Sequence, residues 1–359
     1  MDFLPFHIDT QDVFVRHKSK RPLAHKPNEL LLPFDVSDPF GLRKAVVPVF
    51  RRDPDGRIYG MGTAFHVDGW GAFLTADHVI DFIRETLPNT GLYPNRFVDI
   101  DPSNQPHAVL FLGIGVVFGT RAIPQRAFAP IVRVLTRIAE WDDPLAALRG
   151  NSVFRVAADI AGVQALFSPD ARRPHTVTVR LSGWEPTIGE YVFAVGYSQL
   201  KPSENVGDDE LRIMVEDGMK GAYGRITAVF PHGRDLANPS PVFEVNADWQ
   251  SGMSGGPVFN HLGEVVGIVS RSLAPDGASG GVGYATCLGW TQAHELVPSL
   301  DPQSPGKRLG YAVLCRDPWH VARVFQTKNE ATRFSESLDK DHYVTYGVHK
   351  LGSDEFVSL

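Results

Sequence analysis

The chain has 359 residues, 43% hydrophobic and 21% charged, which is long enough for a sizeable core and excludes a disordered or fibrous protein. A formal net charge of −6 leaves no electrostatic footprint for nucleic acid or an anionic membrane. With 34 glycines and 27 prolines there is little room for long helices, so strands and turns are favoured.

Cys287 and Cys315 are the two cysteines, so at most one bridge is possible, and this usage favours a reducing compartment with both thiols free. Met1–His7 lack the basic, apolar and small-residue succession of a signal peptide, and no apolar run reaches the ~18 residues of a membrane helix. A cytoplasmic location is the expectation.

Residues 1–44 read as an N-terminal arm, with a basic run at Arg16–Arg21 followed by Pro22, Pro27, Pro33 and Pro39. Strand patterning begins at Ala45–Phe50, and Asp53-Pro54-Asp55-Gly56 is a hairpin turn signal. Gly62–Val67 and Gly71–Ala76 read as strands around Asp68-Gly69-Trp70-Gly71, the second running into Asp77-His78-Val79-Ile80. Ala108–Phe118 suits a buried strand. Residues 130–149 interleave Arg133, Arg137, Glu140 and Trp141 with apolar residues and fit either a strand or a helix. Within Ala157–Leu166, Asp159 stands in an apolar segment, where a carboxylate is costly unless hydrogen-bonded or paired. Residues 169–175 read as a connector, which closes a first unit over 45–170.

A second unit, 171–300, repeats short strands: Thr176–Leu181, Tyr191–Gly196, Arg212–Glu216, Gly224–Phe230, Val242–Asn246, Pro257–Phe259, Val265–Ser272 and Gly283–Leu288. Turn residues separate them, the cadence of an antiparallel barrel. After the break at Asp301–Gly306, a strand at Tyr311–Cys315, a helix at Asn329–Leu338 and a strand at Tyr343–Val348 form an α+β appendage over 301–359.

Between the strands of the second unit lies Gly252-Met253-Ser254-Gly255-Gly256-Pro257. Attack on a peptide carbonyl needs a hydroxyl on an exposed, rigid turn, with backbone N–H groups aimed at the developing oxyanion. Glycines around Ser254 let the chain curl that way, and Pro257 stiffens the exit. This stretch, with Gly267-Ile268-Val269-Ser270, Leu74-Thr75-Ala76-Asp77-His78 and Asp159-Ile160-Ala161, resembles the chymotrypsin/trypsin-like serine proteases. The resemblance covers about residues 45–300.

That resemblance implies an all-β-dominated fold, a double six-stranded antiparallel β-barrel between the arm and the appendage. It implies a serine endopeptidase working through an acyl-enzyme on protein or peptide substrates. In this reading Ser254 is the nucleophile, His78 its general base, Asp159 the acid that orients His78, and the Gly252 and Ser254 amides form the oxyanion hole. The order His78, Asp159, Ser254 is that of the same class. Asp77, Asp142 and Asp143 compete for the role of acid. Ser270, Arg271 and Ser272 would form the edge that pairs with substrate, and Asp248 would either stand at the base of the primary pocket, where it would attract Arg or Lys, or be a salt-bridged loop residue. Gly281, Gly283 and Tyr284 would line the far wall. No cofactor is expected. The remaining histidines, His320 and His342 among them, show no zinc spacing and read as surface or packed residues, and Asp208-Asp209-Glu210 reads as a solvated loop.

Met253 precedes the serine where trypsin zymogens carry an Asp that receives a freed N-terminal amine, and a thioether accepts no ammonium. In this the chain looks more like the high-temperature-requirement proteases. An activating partner or ligand, acting through the arm, residues 81–158 or the appendage, is therefore expected. The alternatives on the same fold are a silent peptide-binding pseudoprotease, an esterase or acyl-transfer enzyme, and a scaffold.

Overall fold

The computed structural model describes residues 34–35, 42–53, 58–85, 96–101, 108–111, 128–142, 153–167, 175–198, 218–235, 238–273, 281–338 and 340–359. A two-residue strand, β1 (Phe34–Asp35), precedes the first barrel. That barrel comprises β2 (Val46–Arg52), β3 (Ile58–His66), β4 (Ala72–Thr75), β5 (Arg96–Asp99), β6 (Ala108–Phe111), β7 (Phe128–Asp142) and β8 (Val153–Ala165). A 3-10 turn at Asp77–Val79 and a short helix, α1 (Asp81–Glu85), follow β4. The strands run in the order β7-β6-β2-β3-β4-β8, and β8 pairs back with β7, which closes a six-stranded ring. The 15 residues of β7 make this possible: one edge takes β6 near Pro130 and β5 near Thr136, while the other takes β8. The part of 130–149 that fits strand or helix is thus strand as far as Asp142.

The second barrel contains β9 (Tyr191–Tyr197), β10 (Met219–Phe230), β11 (Val242–Val245), β12 (Pro257–Phe259), β13 (Val265–Leu273) and β14 (Val282–Cys287). Their order is β10-β11-β14-β13-β12-β9, closed by β9 on β10, with β1 added beside β10. The fold is therefore the double six-stranded antiparallel barrel. One expected strand is absent: Thr176–Leu181 contributes isolated bridges, including a parallel one from Val179 to Val265, although Val177, Val179 and Leu181 are buried. Burial, rather than pairing, explains its apolar pattern. Arg212–Glu216 lies outside the described residues.

The two barrels share an apolar interface. Val46, Phe65 and Ile160 of the first lie in one buried cluster with Phe193, Tyr197 and Ile268 of the second, and the Tyr197 hydroxyl donates to the Val46 carbonyl at 3.1 Å. A second cluster, including Phe243, Val258, Trp249 and Met253, fills the second barrel.

Beyond Leu300 come β15 (Lys307–Arg316), β16 (Trp319–Phe325), α2 (Lys328–Glu336), β17 (His342–Lys350) and β18 (Phe356–Ser358), with sheet order β16-β15-β17-β18. Thr327 caps α2, its hydroxyl accepting from the Glu330 amide and donating to the Glu330 carboxylate. The strand-helix-strand expected from sequence gains β16 and β18; β16 is mostly half-exposed and so lacks an apolar signature. Arg308, buried at 2% exposure, docks this sheet on the first barrel. Its guanidinium lies 4.1 Å from the Trp70 ring centroid and donates to the Asp68 carbonyl at 2.8 Å. Among the described residues no helix is long and apolar enough to cross a membrane.

Candidate active site

The pairing of β4 with β8 places Thr75 opposite Ala161, so the turn that follows β4 lies over the residues that precede Ala161. His78 Nδ1 donates to Asp159 Oδ1 at 2.8 Å, and the His78 backbone amide donates to the same oxygen at 3.2 Å. The Ser270 hydroxyl donates to Asp159 Oδ2. The Asp159 amide in turn donates to Ser240 Oγ at 2.8 Å, and the Thr286 hydroxyl to the Asp159 carbonyl at 3.0 Å. Burial alone would raise the pKa of Asp159, but the His78 hydrogen bond and charge, with the Ser270 and His78 amide bonds, outweigh it and hold the carboxyl below its usual value. For His78, burial and Arg271 disfavour the charged ring, yet the Asp159 hydrogen bond and charge prevail and raise its pKa above 6.5. Of the competing acids, Asp77 lines the same cavity without bonding the His78 ring, Asp142 pairs with Val153 far along β7, and Asp143 lies outside the described residues.

Ser254 sits on a turn that only glycine can build at two positions. Gly252 has φ +95° and its missing Cβ would lie 2.5 Å from the Tyr197 carbonyl oxygen; Gly255 has φ +84° and its Cβ would strike the Thr63 carbonyl. The turn is tied by Met253 N–H to the Gln250 carbonyl (3.0 Å) and Gly256 N–H to the Met253 carbonyl (2.9 Å). The Met253 side chain is fully buried in the second barrel's core. Among the described residues, the amides of Gly252 and Ser254 have no hydrogen-bond acceptor. The Ser254 hydroxyl donates to the Ser270 carbonyl at 3.3 Å, and His78 Nε2 carries no hydrogen bond among the described residues. Ser270 therefore touches two of the expected site residues, Asp159 through its hydroxyl and Ser254 through its carbonyl.

A cavity of about 220 Å³ lies beside His78 and Asp159, lined also by Ser240, Ser270, Arg271 and Tyr284. Arg271 is exposed and its Nη1 donates to Asn238 Oδ1 at 2.7 Å; Ser272 is exposed as well. On one side Arg271 and Ser272 pair with Tyr284 and Gly283 of β14. On the other, β12 leaves β13 at Ile268, and past Val269 that edge has no strand partner among the described residues. The Trp249 ring lies directly against the Cα of Gly283, leaving no space even for a methyl group, and the Asp248 backbone packs on Gly281 in the same way.

Sequence reading overlooked four positions here: Thr63, Ser240, Thr286 and Trp249. Their partners stand far away along the chain, and no local pattern marks them.

Two closed antiparallel barrels with a His–Asp pair on one and a glycine-bound serine turn on the other define a trypsin-like architecture. Residues 62–268, more than half of the chain, match the family model described as "trypsin-like peptidase domain", and the chain belongs to that family. Among solved structures, it is similar to a mutant of Rv3671c from M. tuberculosis H37Rv in an inactive form, with 16% identity, a TM-score of 0.38, and coverage of 75% of this chain and 96% of that one. It is also similar to another inactive form described as Rv3671c protease, with 17% identity, a TM-score of 0.37, and coverage of 71% and 89%. No curated protein matches the chain.

Proposed function

We propose that the chain is a serine endopeptidase in which Ser254 attacks the scissile carbonyl. His78 removes the hydroxyl proton through Nε2 and later delivers it to the leaving amine, while Asp159 fixes the ring with its Nδ1 proton inward and stabilises the imidazolium. The observation that carries the reading is the pair of unaccepted amides at Gly252 and Ser254, held beside a hydroxyl that is linked through Ser270 to the His78–Asp159 pair. Such amides would stabilise charge on a tetrahedral oxygen, and losing one such donor typically costs ~3–4 kcal/mol of transition-state stabilisation. Attack requires the Ser254 hydroxyl to rotate from the Ser270 carbonyl to the imidazole, an adjustment common when substrate enters.

Peptide would add as a strand to the open edge at Ser270–Ser272. With Trp249 lying on Gly283 between the serine loop and β14, small uncharged side chains would fit at the cleaved residue better than Arg or Lys. Burial of Met253 would hold the serine loop without an amine–carboxylate pair, and an activating partner would act through the arm, residues 81–158 or the appendage. Digestion of a proteome-derived peptide library by the purified chain, with Ser254→Ala as control, tests the proposal. Serine-dependent cleavage after small residues is the expected result; no cleavage, with or without a cell extract, would overturn it.

A further inference from the structure

The four-stranded C-terminal sheet assembles a set of side chains that no linear spacing reveals. Cys315 on the central strand β15 has His320 on β16 and His342 on β17 as its direct cross-strand partners. Residues directly opposite one another project from the same face of a sheet, so all three side chains share one face in one row. The two histidines stand two strands apart, roughly 10 Å by strand spacing, yet their ring centroids approach to 5.6 Å. Both rings lean inward over the thiol between them. One ligand-type atom from each residue lies within 4.8 Å of the others.

From this arrangement we infer a zinc-binding site formed by Cys315, His320 and His342, separate from the peptidase cleft and independent of the peptidase reading. A thiol and two imidazoles are the borderline-soft donors that Zn²⁺ takes, and the absence of a carboxylate from the trio disfavours Mg²⁺ or Ca²⁺. Tetrahedral Zn²⁺ needs donor atoms roughly 3–4 Å apart, which small side-chain rotations supply from the observed spread. A second observation favours ligation. His320 Nδ1 lies 3.0 Å from the Pro318 carbonyl, so it carries the proton and leaves the Nε2 lone pair free to bind, the outer contact typical of metal-bound imidazole. Cys315 is buried, and its Sγ donates to the Asp317 carbonyl at 3.6 Å. On binding Zn²⁺ the thiol loses this proton to solvent and the thiolate binds the metal. The fourth position is left to water. The ion would pin both neighbouring strands, β16 and β17, to β15.

Binding of Zn²⁺ to the full chain is measured by competition with a chromophoric chelator, and Co²⁺ is added in parallel as a spectroscopic probe. One equivalent of Zn²⁺ per chain is expected, with a thiolate-to-cobalt charge-transfer band and tetrahedral visible bands for Co²⁺. Cys315→Ser should abolish the charge-transfer band, and His320→Gln should weaken Zn²⁺ binding by at least ~10-fold. His320 is only half-buried, so its variant keeps the test valid if Cys315→Ser fails to fold. Absence of stoichiometric binding by the parent chain, a cobalt spectrum without the thiolate band, or unchanged affinity in His320→Gln would overturn the inference.

Discussion

Thr63, on the first barrel, donates its backbone amide to the carbonyl of Ser254, on the second, at 2.8 Å. Its hydroxyl donates to the Gly252 carbonyl at 2.9 Å and accepts from the Tyr197 amide at 2.9 Å. One fully buried residue thus ties the serine turn to the first barrel, through its side chain at Gly252 and its backbone at Ser254. Thr63→Val keeps the shape but strands the Gly252 carbonyl and the Tyr197 amide, at a cost of about 1–3 kcal/mol. Denaturant unfolding should register that loss, and kcat should fall with little change in KM, because the turn's amides are the groups displaced.

The environment of His78 fixes the pH dependence. A base must be neutral to accept a proton, and the folded pKa of His78 lies above 6.5, so activity should be present above that pKa and be lost as pH falls through it. Arg271 opposes the charged ring. Removing it in Arg271→Ala should raise the pKa further and move the acid limb of kcat/KM upward by roughly half a unit or less. Asp159→Asn should move the limb downward and reduce kcat by about 10⁴-fold. A limb unmoved by both substitutions would separate His78 from the reaction.

In the proposed peptidase, Trp249, which lies on Gly283, would limit the width of the primary pocket. Trp249→Ala should open a path toward Asp248 and shift cleavage toward larger residues, Arg and Lys included. The change is read as the ratio of kcat/KM for a basic and an alanine substrate. Since Trp249 belongs to the second barrel's core, the variant should also lose about 3–5 kcal/mol of stability.

Acid should weaken the C-terminal sheet at its contact with the body. Burial, with Arg308 nearby, lowers the His349 pKa from 6.5 to about 4 although the ring donates to the Ser353 carbonyl at 2.7 Å. Between those values the unfolded chain binds a proton that the folded chain refuses, so stability falls as pH drops from 6.5 toward 4. His349→Gln should flatten that part of the thermal stability profile relative to the parent.

Much of the site is legible in the sequence because its chemistry is local. Ser254 needs glycines within two residues, and His78 sits at the end of a strand that runs straight into its turn, so both stand out in a short window. Asp159 is legible through the cost of a carboxylate in an apolar strand. Thr63 is not legible, because the partners that tie it to the serine turn, Tyr197, Gly252 and Ser254, come from the other barrel. The same holds for Cys315, His320 and His342, which strand register alone brings together. The 130–142 stretch is ambiguous for another reason: β7 exposes Arg133 while burying Ile131 and Val134, and a bulge between Ile131 and Arg133 breaks the two-residue alternation.

Reaction of the purified chain with a fluorophosphonate, followed by peptide mass mapping, tests the central assignment most directly. One adduct is expected, on Ser254, abolished by Ser254→Ala and slowed by orders of magnitude in His78→Ala. An intact, folded chain that forms no adduct, or forms it at equal rate without His78, would contradict it.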